Sequence, residues 1–340
     1  MKGAQVVLGE HRGREAAALM IDGQLEDLFL EGDGPVPGTI YRGVAGRPMK
    51  GQGGIFLETP EGKVYLRQIK GISPGEPLLC QVTGHAEPGK AVPVTAKLLF
   101  KSRYAIVTPE APGLNISRRI RDEEMRDALL EIAHAEMAGA EHGLILRSSC
   151  AGADGEAIAE DIREMRALCD SVLADQGRAP EVLVAGDSPH ARAWREWDMP
   201  AEVLRGPEAF EESGVAEAIE ALAHPLVPLK GGGHMAVELT RALVAVDVNT
   251  GGDTSPAAGL KATIAALRDL PRQLRLRGLG GVVVIDPAPF PKKERRQIEQ
   301  VLRAALKSDA VETTFVGWTP MGNIELQRKR DRVALGDLIQ

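Results

Sequence analysis

Residues 242–253 read ALVAVDVNTGGD. A run of small and β-branched aliphatic residues ends on Asp247, then Asn249, then a glycine-rich turn. Residues 280–287, GGVVVIDP, repeat the form and end on Asp286. Continuous aliphatic runs of this kind mark strands covered on both faces. Between them, residues 256–277 (PAAGLKATIAALRDLPRQLRLR) have helical spacing, with Pro271 as the place for a kink. A strand, a helix and a strand make a crossover, so the two strands are expected to be parallel, with both C-terminal ends at one sheet edge.

Open α/β sheets bind ligands at that edge, and Asp247 and Asp286 would meet there. Neighbouring carboxylates repel unless a cation lies between them. Mg²⁺ keeps several waters and takes one or two carboxylates, which makes it the economical partner. Such an ion acidifies bound water and clamps a phosphodiester oxygen. Asn249, two residues past Asp247, projects to the same side of an extended chain. It can orient water or a phosphate oxygen without adding charge. Each aspartate could equally be the polar end of its strand, capping a loop or the next helix. A nucleoside triphosphatase reading fails, because no GxxxxGK[ST] loop exists and KGGGH at 230–234 lacks the lysine and hydroxyl after its glycines.

The chain has 340 residues, 44% of them hydrophobic, enough for two or more domains. Cys80, Cys150 and Cys169 are far apart, odd in number and without a CxxC pair. They outline neither a disulfide framework nor a zinc site and suit a reducing cytoplasm. No run reaches the ~18 apolar residues of a membrane span, and the first apolar stretch is too short for a signal peptide. A soluble, cytoplasmic protein is expected. The net charge of −7 argues against a nucleic-acid partner, yet thirteen Lys/Arg face seven Asp/Glu between Arg272 and Arg332. That balance fits a polyanion-binding face on an acidic body, or the solvated surfaces of helices.

Elsewhere, GREAAALMIDGQLEDLFLE (residues 13–31) predicts two strands around an Asp22-Gly23 turn, and Pro35 and Pro37 mark a boundary. IYRGVA, GGIFLE, KVYLRQI, PLLCQVT and VPVTAKLLF are about five short strands, the pattern of a small closed barrel such as an OB-fold. A turn centred on Pro60 and Glu61 would set Phe56 opposite Tyr65. If exposed, the two rings form a stacking platform for single-stranded bases; otherwise they pack the barrel. Residues 103–178 mix extended segments with two helices, DEEMRDALLEIAHAEM and GEAIAEDIREMRALCDSVLADQ. Trp194 and Trp197 are expected in core or hinge packing.

ELTRALVAVDVNTGGD (238–253), RQLRLRGLGGVVVID (272–286) and NIELQRKR (323–330) together resemble the catalytic core of the ribonuclease E/G family. NISRRI (115–120) is similar to a further segment of that family, in order. The resemblance implies an endoribonuclease of RNA processing or decay that cuts single-stranded RNA to 5′-phosphate and 3′-hydroxyl ends. It implies an α/β (α+β, multi-subdomain) fold: an RNase H-like piece (1–36 and 179–223), an inserted OB-fold β-barrel (37–102), a 5′-sensor region (103–178) and a DNase I-like catalytic subdomain (224–340). Asp247 and Asp286 fall on metal ligands, for Mg²⁺ or alternatively Mn²⁺, and Asn249 on a catalytic asparagine. Phe56, Tyr65, Lys90, Arg118 and Arg119 take the place of RNA contacts. Arg147 and Ser148, in ILRSSCAG, resemble the pair that senses a 5′-phosphate.

The chain departs from the family pattern in four places. The segment after Asn249 is shorter and lacks an arginine-containing stretch. KATIAA replaces an NxNxEA-type run. Glu312 stands near the position of a supporting arginine, so only a weak preference for 5′-monophosphate ends is expected. No CPxC pair follows QRKRDR, so no zinc and no zinc-linked assembly is expected, although a homo-oligomer could form otherwise. Neither a membrane nor DNA is an expected partner. The alternative reading is an RNA-binding protein of the same fold with weak or no nuclease activity.

Overall fold

Turn chemistry sets the first sheet. In the computed structural model, which describes residues 3–48, 53–67, 71–87, 89–109, 111–253 and 255–338, Asp22 and Gly23 both take positive φ, 50° and 78°. This is the two-residue hairpin geometry whose twist matches the flanking strands, and it joins Arg14–Ile21 to Gln24–Leu30. Arg12 and Gly13 (52° and 74°) make the same turn one strand earlier, between Ala4–His11 and Arg14–Ile21, without the Asp-Gly signal. Glu202–Arg205 adds in parallel to Ala4–His11 and completes a four-stranded sheet. The chain divides into two units: residues 1–32 with 201–340, and residues 33–200.

The second sheet of the first unit has six strands in the order Leu226–Pro228, His234–Leu239, Val244–Asn249, Gly281–Asp286, Ile324–Arg328, Thr313–Trp318. Val244–Asn249 and Gly281–Asp286 are its one parallel pair, joined by the helix Pro256–Leu276, which runs on through Pro271. Val244, Val246, Val248, Val283 and Ile285 form a core with Ala266, Leu267, Leu270 and Leu274 of that helix and with Ile298 and Leu302 of the helix Arg295–Ser308. The two strands are therefore not covered on both faces as their composition suggested. Burial alternates along each, and Val282 on the other face is 40% exposed. Ala245, Val282 and Val284 are aliphatic because small and β-branched side chains suit a pleated surface, which does not require that anything cover them.

The same helix corrects the reading of the basic tract. Gln273, Arg275 and Arg277 are buried, and so is Arg328. Arg275 donates to Asp27 (3.1 Å), Glu26 (2.7 Å) and Asp309, while Arg328 donates to the other oxygen of Asp309 (2.6 Å) and Arg332 to Asp27. Arg272, Arg275, Arg328 and Arg332 are thus spent on internal ion pairs, while Lys292, Lys293, Arg296, Arg303 and Lys307 stay exposed, as on a solvated helix surface.

In the second unit, Ile40–Ala45, Gly54–Thr59, Gly62–Arg67, Val92–Thr95 and Pro77–Val82 pair in that order. Pro77–Val82 returns to Ile40–Ala45, which closes a five-stranded barrel consistent with an OB-fold. Ile55, Leu57, Val64, Leu66, Cys80 and Val94 fill it. The last two residues of KVYLRQI lie outside the described residues. Buried Arg42 ties the barrel to the following segment through the Ala179 carbonyl (2.7 Å), Asp175 (2.6 Å) and Glu181. A second sheet, Leu114–Ile116, Gly143–Leu146, Ala105–Thr108, Phe100–Lys101, shares a core with the helices Glu123–Glu136 and Gly155–Leu173. All three cysteines are free and buried; burial pushes the Cys80 and Cys150 thiols up to about 12 and that of Cys169 to about 11. Among the described residues, no helix is long and apolar enough to cross a membrane.

Candidate active site

Asp247 and Asp286 are direct register partners at the C-terminal ends of the two parallel strands, and both are exposed. Asn249 donates through Nδ2 to Asp247 Oδ2 at 2.7 Å. Among the described residues, neither aspartate is ion-paired to a lysine or arginine. Helix capping does not account for Asp247: the helix Pro256–Leu276 is capped by Ser255, whose hydroxyl accepts from the Ala258 amide. Nor does Asp286 cap the short turn that follows it, whose N-cap is Pro291, without a side-chain bond.

Strand parity puts Glu238 and Glu325 on the same open face, so four carboxylates line it. The chain leaving Asp286 turns through three prolines into exposed Lys292 and Lys293. Opposite Asn249 in the ladder stands His234, at the end of the Gly231–Gly233 turn. Gly233 has φ 80°, and a Cβ there would collide with the Asn249 carbonyl oxygen, so this turn must be glycine to lie beside the site. His234 was legible in principle: counting back from Asn249 across a hairpin centred on residues 240–243 reaches it. KGGGH was instead read only as a failed phosphate loop.

The remaining site candidates lie in the second unit. Pro60 and Glu61 form the turn that sets Phe56 opposite Tyr65, with ring centroids 5.6 Å apart and planes at 59°. Their neighbours Ile55, Leu57, Val64 and Leu66 point into the barrel, so the two half-buried rings sit on its outer surface. Gly54 lacks a side chain where the Tyr65 phenol crosses it. Lys90 is exposed on a barrel loop, 2.6 Å from Glu87. Arg118 and Arg119 are exposed on the turn after Leu114–Ile116.

Arg147 and Ser148 follow the strand Gly143–Leu146, and both are engaged. Arg147 Nη2 donates to Glu196 Oε2 at 2.6 Å, and Ser148 Oγ donates to Asp198 Oδ2 at 3.2 Å. Burial, the largest influence on Glu196, pushes its carboxyl upward, but Arg147 and Arg195 together outweigh it and hold it below the usual carboxylate range. Trp197 is buried as expected, whereas Trp194 is 67% exposed with the Arg103 guanidinium 4.0 Å from its ring centre. Glu312, near which a sensor arginine was expected, is exposed at the start of the edge strand Thr313–Trp318 in the first unit.

The sequence profile of the Ribonuclease E/G family matches residues 100–203 and 200–331. The chain belongs to the ribonuclease E/G family. It is 25% identical to ribonuclease E of Nostoc sp. over 96% of this chain and 56% of that protein. It is 26% identical to ribonuclease G of Salmonella typhimurium over 94% of this chain and 78% of that protein, and 25% identical to ribonuclease G of Escherichia coli over 94% and 79%. The chain thus spans little more than half the length of the ribonuclease E relative. In this ribonuclease E/G chain, Asp247, Asn249 and Asp286 come together in one unit, and the ring pair and the Arg147–Ser148 pair lie in the other.

Proposed function

We propose that the chain is an endoribonuclease that hydrolyses single-stranded RNA to 5′-phosphate and 3′-hydroxyl ends. The observation that carries this reading is the register pairing of two exposed, unneutralised aspartates beside Asn249, in a chain of this family. An acidic sheet face repels a phosphodiester, so the donor set fits a hard divalent ion, Mg²⁺ or Mn²⁺, which Asp247 and Asp286 would hold. When bound, the ion acidifies water and offsets charge on the phosphate. Asn249 fixes the Asp247 carboxylate and keeps its amide oxygen and second N–H for a water or a phosphate oxygen. Water adds to phosphorus, the P–O3′ bond breaks, and the leaving oxygen takes up a proton. In this reading the six-stranded sheet belongs to a DNase I-like catalytic subdomain and the four-stranded sheet to an RNase H-like piece, whose sequence the OB-like barrel and a sensor region interrupt.

The test is a labelled A/U-rich single strand incubated with and without Mg²⁺, followed by analysis of the product ends. Mg²⁺-dependent cuts bearing 5′-phosphates support the proposal. Tight binding without cleavage leaves an RNA-binding protein.

Phe56 and Tyr65 then serve as a stacking platform. Replacing both with alanine should weaken single-strand binding by about 1–3 kcal/mol per lost stacked base. The salt dependence should stay the same, because its slope of about −0.7 per neutralised phosphate counts charges and not rings. Unchanged affinity in a folded double variant would take the pair off the RNA path.

A further inference from the structure

A terminal phosphate approaching Arg147 and Ser148 finds the Ser148 hydroxyl and both terminal nitrogens of Arg147 already hydrogen-bonded. Arg147 Nη1 donates to the carbonyls of Ser102 (2.6 Å) and Arg195 (3.2 Å), and its Nη2 to Glu196. The other Glu196 oxygen accepts from Arg195 Nε at 2.8 Å, and Arg195 also holds Asp187. Asp198 takes the Ser148 hydroxyl. Two guanidiniums and a hydroxyl converging on a pair of oxyanions is the donor set of a phosphomonoester site, served here by the chain's own carboxylates. Glu196 closes the helix Pro189–Glu196 and Asp198 follows it, with buried Trp197 between them as an anchor.

We infer that Glu196 and Asp198 are specificity determinants: they occupy the Arg147–Ser148 contact as internal ligands and make cleavage indifferent to the state of the RNA 5′-end. The inference rests on the RNA-cleaving reading above. A phosphomonoester carries a charge of about −1.5 to −2 at neutral pH. To reach Arg147 it must displace one carboxylate and settle beside another, so attraction to the guanidiniums is offset by repulsion of like charge. Glu196→Gln and Asp198→Asn keep the shape of the segment, remove the repulsion and leave Arg147 without a counter-ion, while Arg195 keeps Asp187.

The experiment compares matched 5′-monophosphate and 5′-hydroxyl single strands on wild type and the Glu196→Gln/Asp198→Asn variant. Initial rates are measured with Mg²⁺, and binding is measured by fluorescence anisotropy in EDTA. Wild type should give a ratio near one in both assays, and the double variant a preference for the phosphate of at least about tenfold, as expected for a charge-assisted, bidentate anion contact. Adding Arg147→Ala should erase the gain. Glu196→Gln alone should give part of it and serves if the double variant does not fold. A wild type that already strongly prefers the 5′-phosphate overturns the inference, as does a folded double variant that binds both strands equally. If neither strand is cut by any form, the nuclease reading falls while the binding arm still decides the role of Glu196 and Asp198.

Discussion

Asp247→Asn and Asp286→Asn should each lower Mg²⁺-dependent cleavage by about 10²–10⁴-fold, the loss expected when a metal site worth several kcal/mol of transition-state stabilisation is broken. RNA affinity measured without Mg²⁺ should hold within a factor of about two, since cationic and aromatic groups, not these acids, attract the phosphate chain. Stability should change by no more than about 0.5 kcal/mol, because both side chains are exposed and neither is ion-paired among the described residues. Each amide keeps the shape of the acid it replaces and relieves carboxylate repulsion on that face. Single-turnover cleavage, anisotropy and thermal unfolding separate the three quantities. Wild-type turnover in either variant would remove that residue from the site, and collapse of the fold in both would make them structural strand ends.

Arg328→Ala should destabilise the first unit by about 3–5 kcal/mol, the usual result of stranding one member of a buried ion pair. The Arg328 side chain is 1% exposed and that of Asp309 is fully buried. Asp309 gives one oxygen to Arg328 and the other to Arg275, Arg275 goes on to Asp27, and Asp27 also takes Arg332. Removing Arg328 leaves a carboxylate with half its donors and no route to water, and it also strips Thr313 of a donor at 2.8 Å. At roughly 2–4 °C per kcal/mol for a unit of this size, the transition of that unit should fall by about 6–20 °C in calorimetry. The Arg328→Ala/Asp309→Ala double variant should lose less than the sum of the singles, because neither charge is then stranded. A loss under about 1 kcal/mol for Arg328→Ala would show that the chain of pairs is dispensable.

Local signals gave the sequence reading its successes. Asp22-Gly23 specifies its turn by backbone chemistry, Phe56 meets Tyr65 because Pro60 and Glu61 make a two-residue loop, and Asp247 meets Asp286 because a helix between two strands forces parallel pairing. The misses share another origin. Whether Ala245 or Val282 is covered depends on which elements dock on the sheet, and aliphatic composition does not encode that. The arginines of RQLRLR look like a basic surface until Asp27, almost 250 residues away in sequence, is seen to hold Arg275. Glu196 and Asp198 lie some fifty residues from Arg147 and Ser148, and nothing in ILRSSCAG announces that its donors are taken. The basic tract is the clearest warning: charge counted along a chain does not reveal which charges face each other across a core.

The interrupted connectivity of the first unit also dictates an order of events during synthesis. Its three N-terminal strands leave the ribosome first, but the strand Glu202–Arg205 that completes their sheet, and Arg275, which pairs with Asp27, are made only after the whole of the second unit. At roughly 5–20 residues per second, the early hairpins wait on the order of ten to thirty seconds for their partners. During that interval Val7, Ala16, Ala18 and Leu28 lack the core that later covers them, while residues 33–200 already have every strand their own two sheets require. Of the two units, the one whose synthesis begins first is therefore the last to finish, and its apolar face stays open while the other is completed.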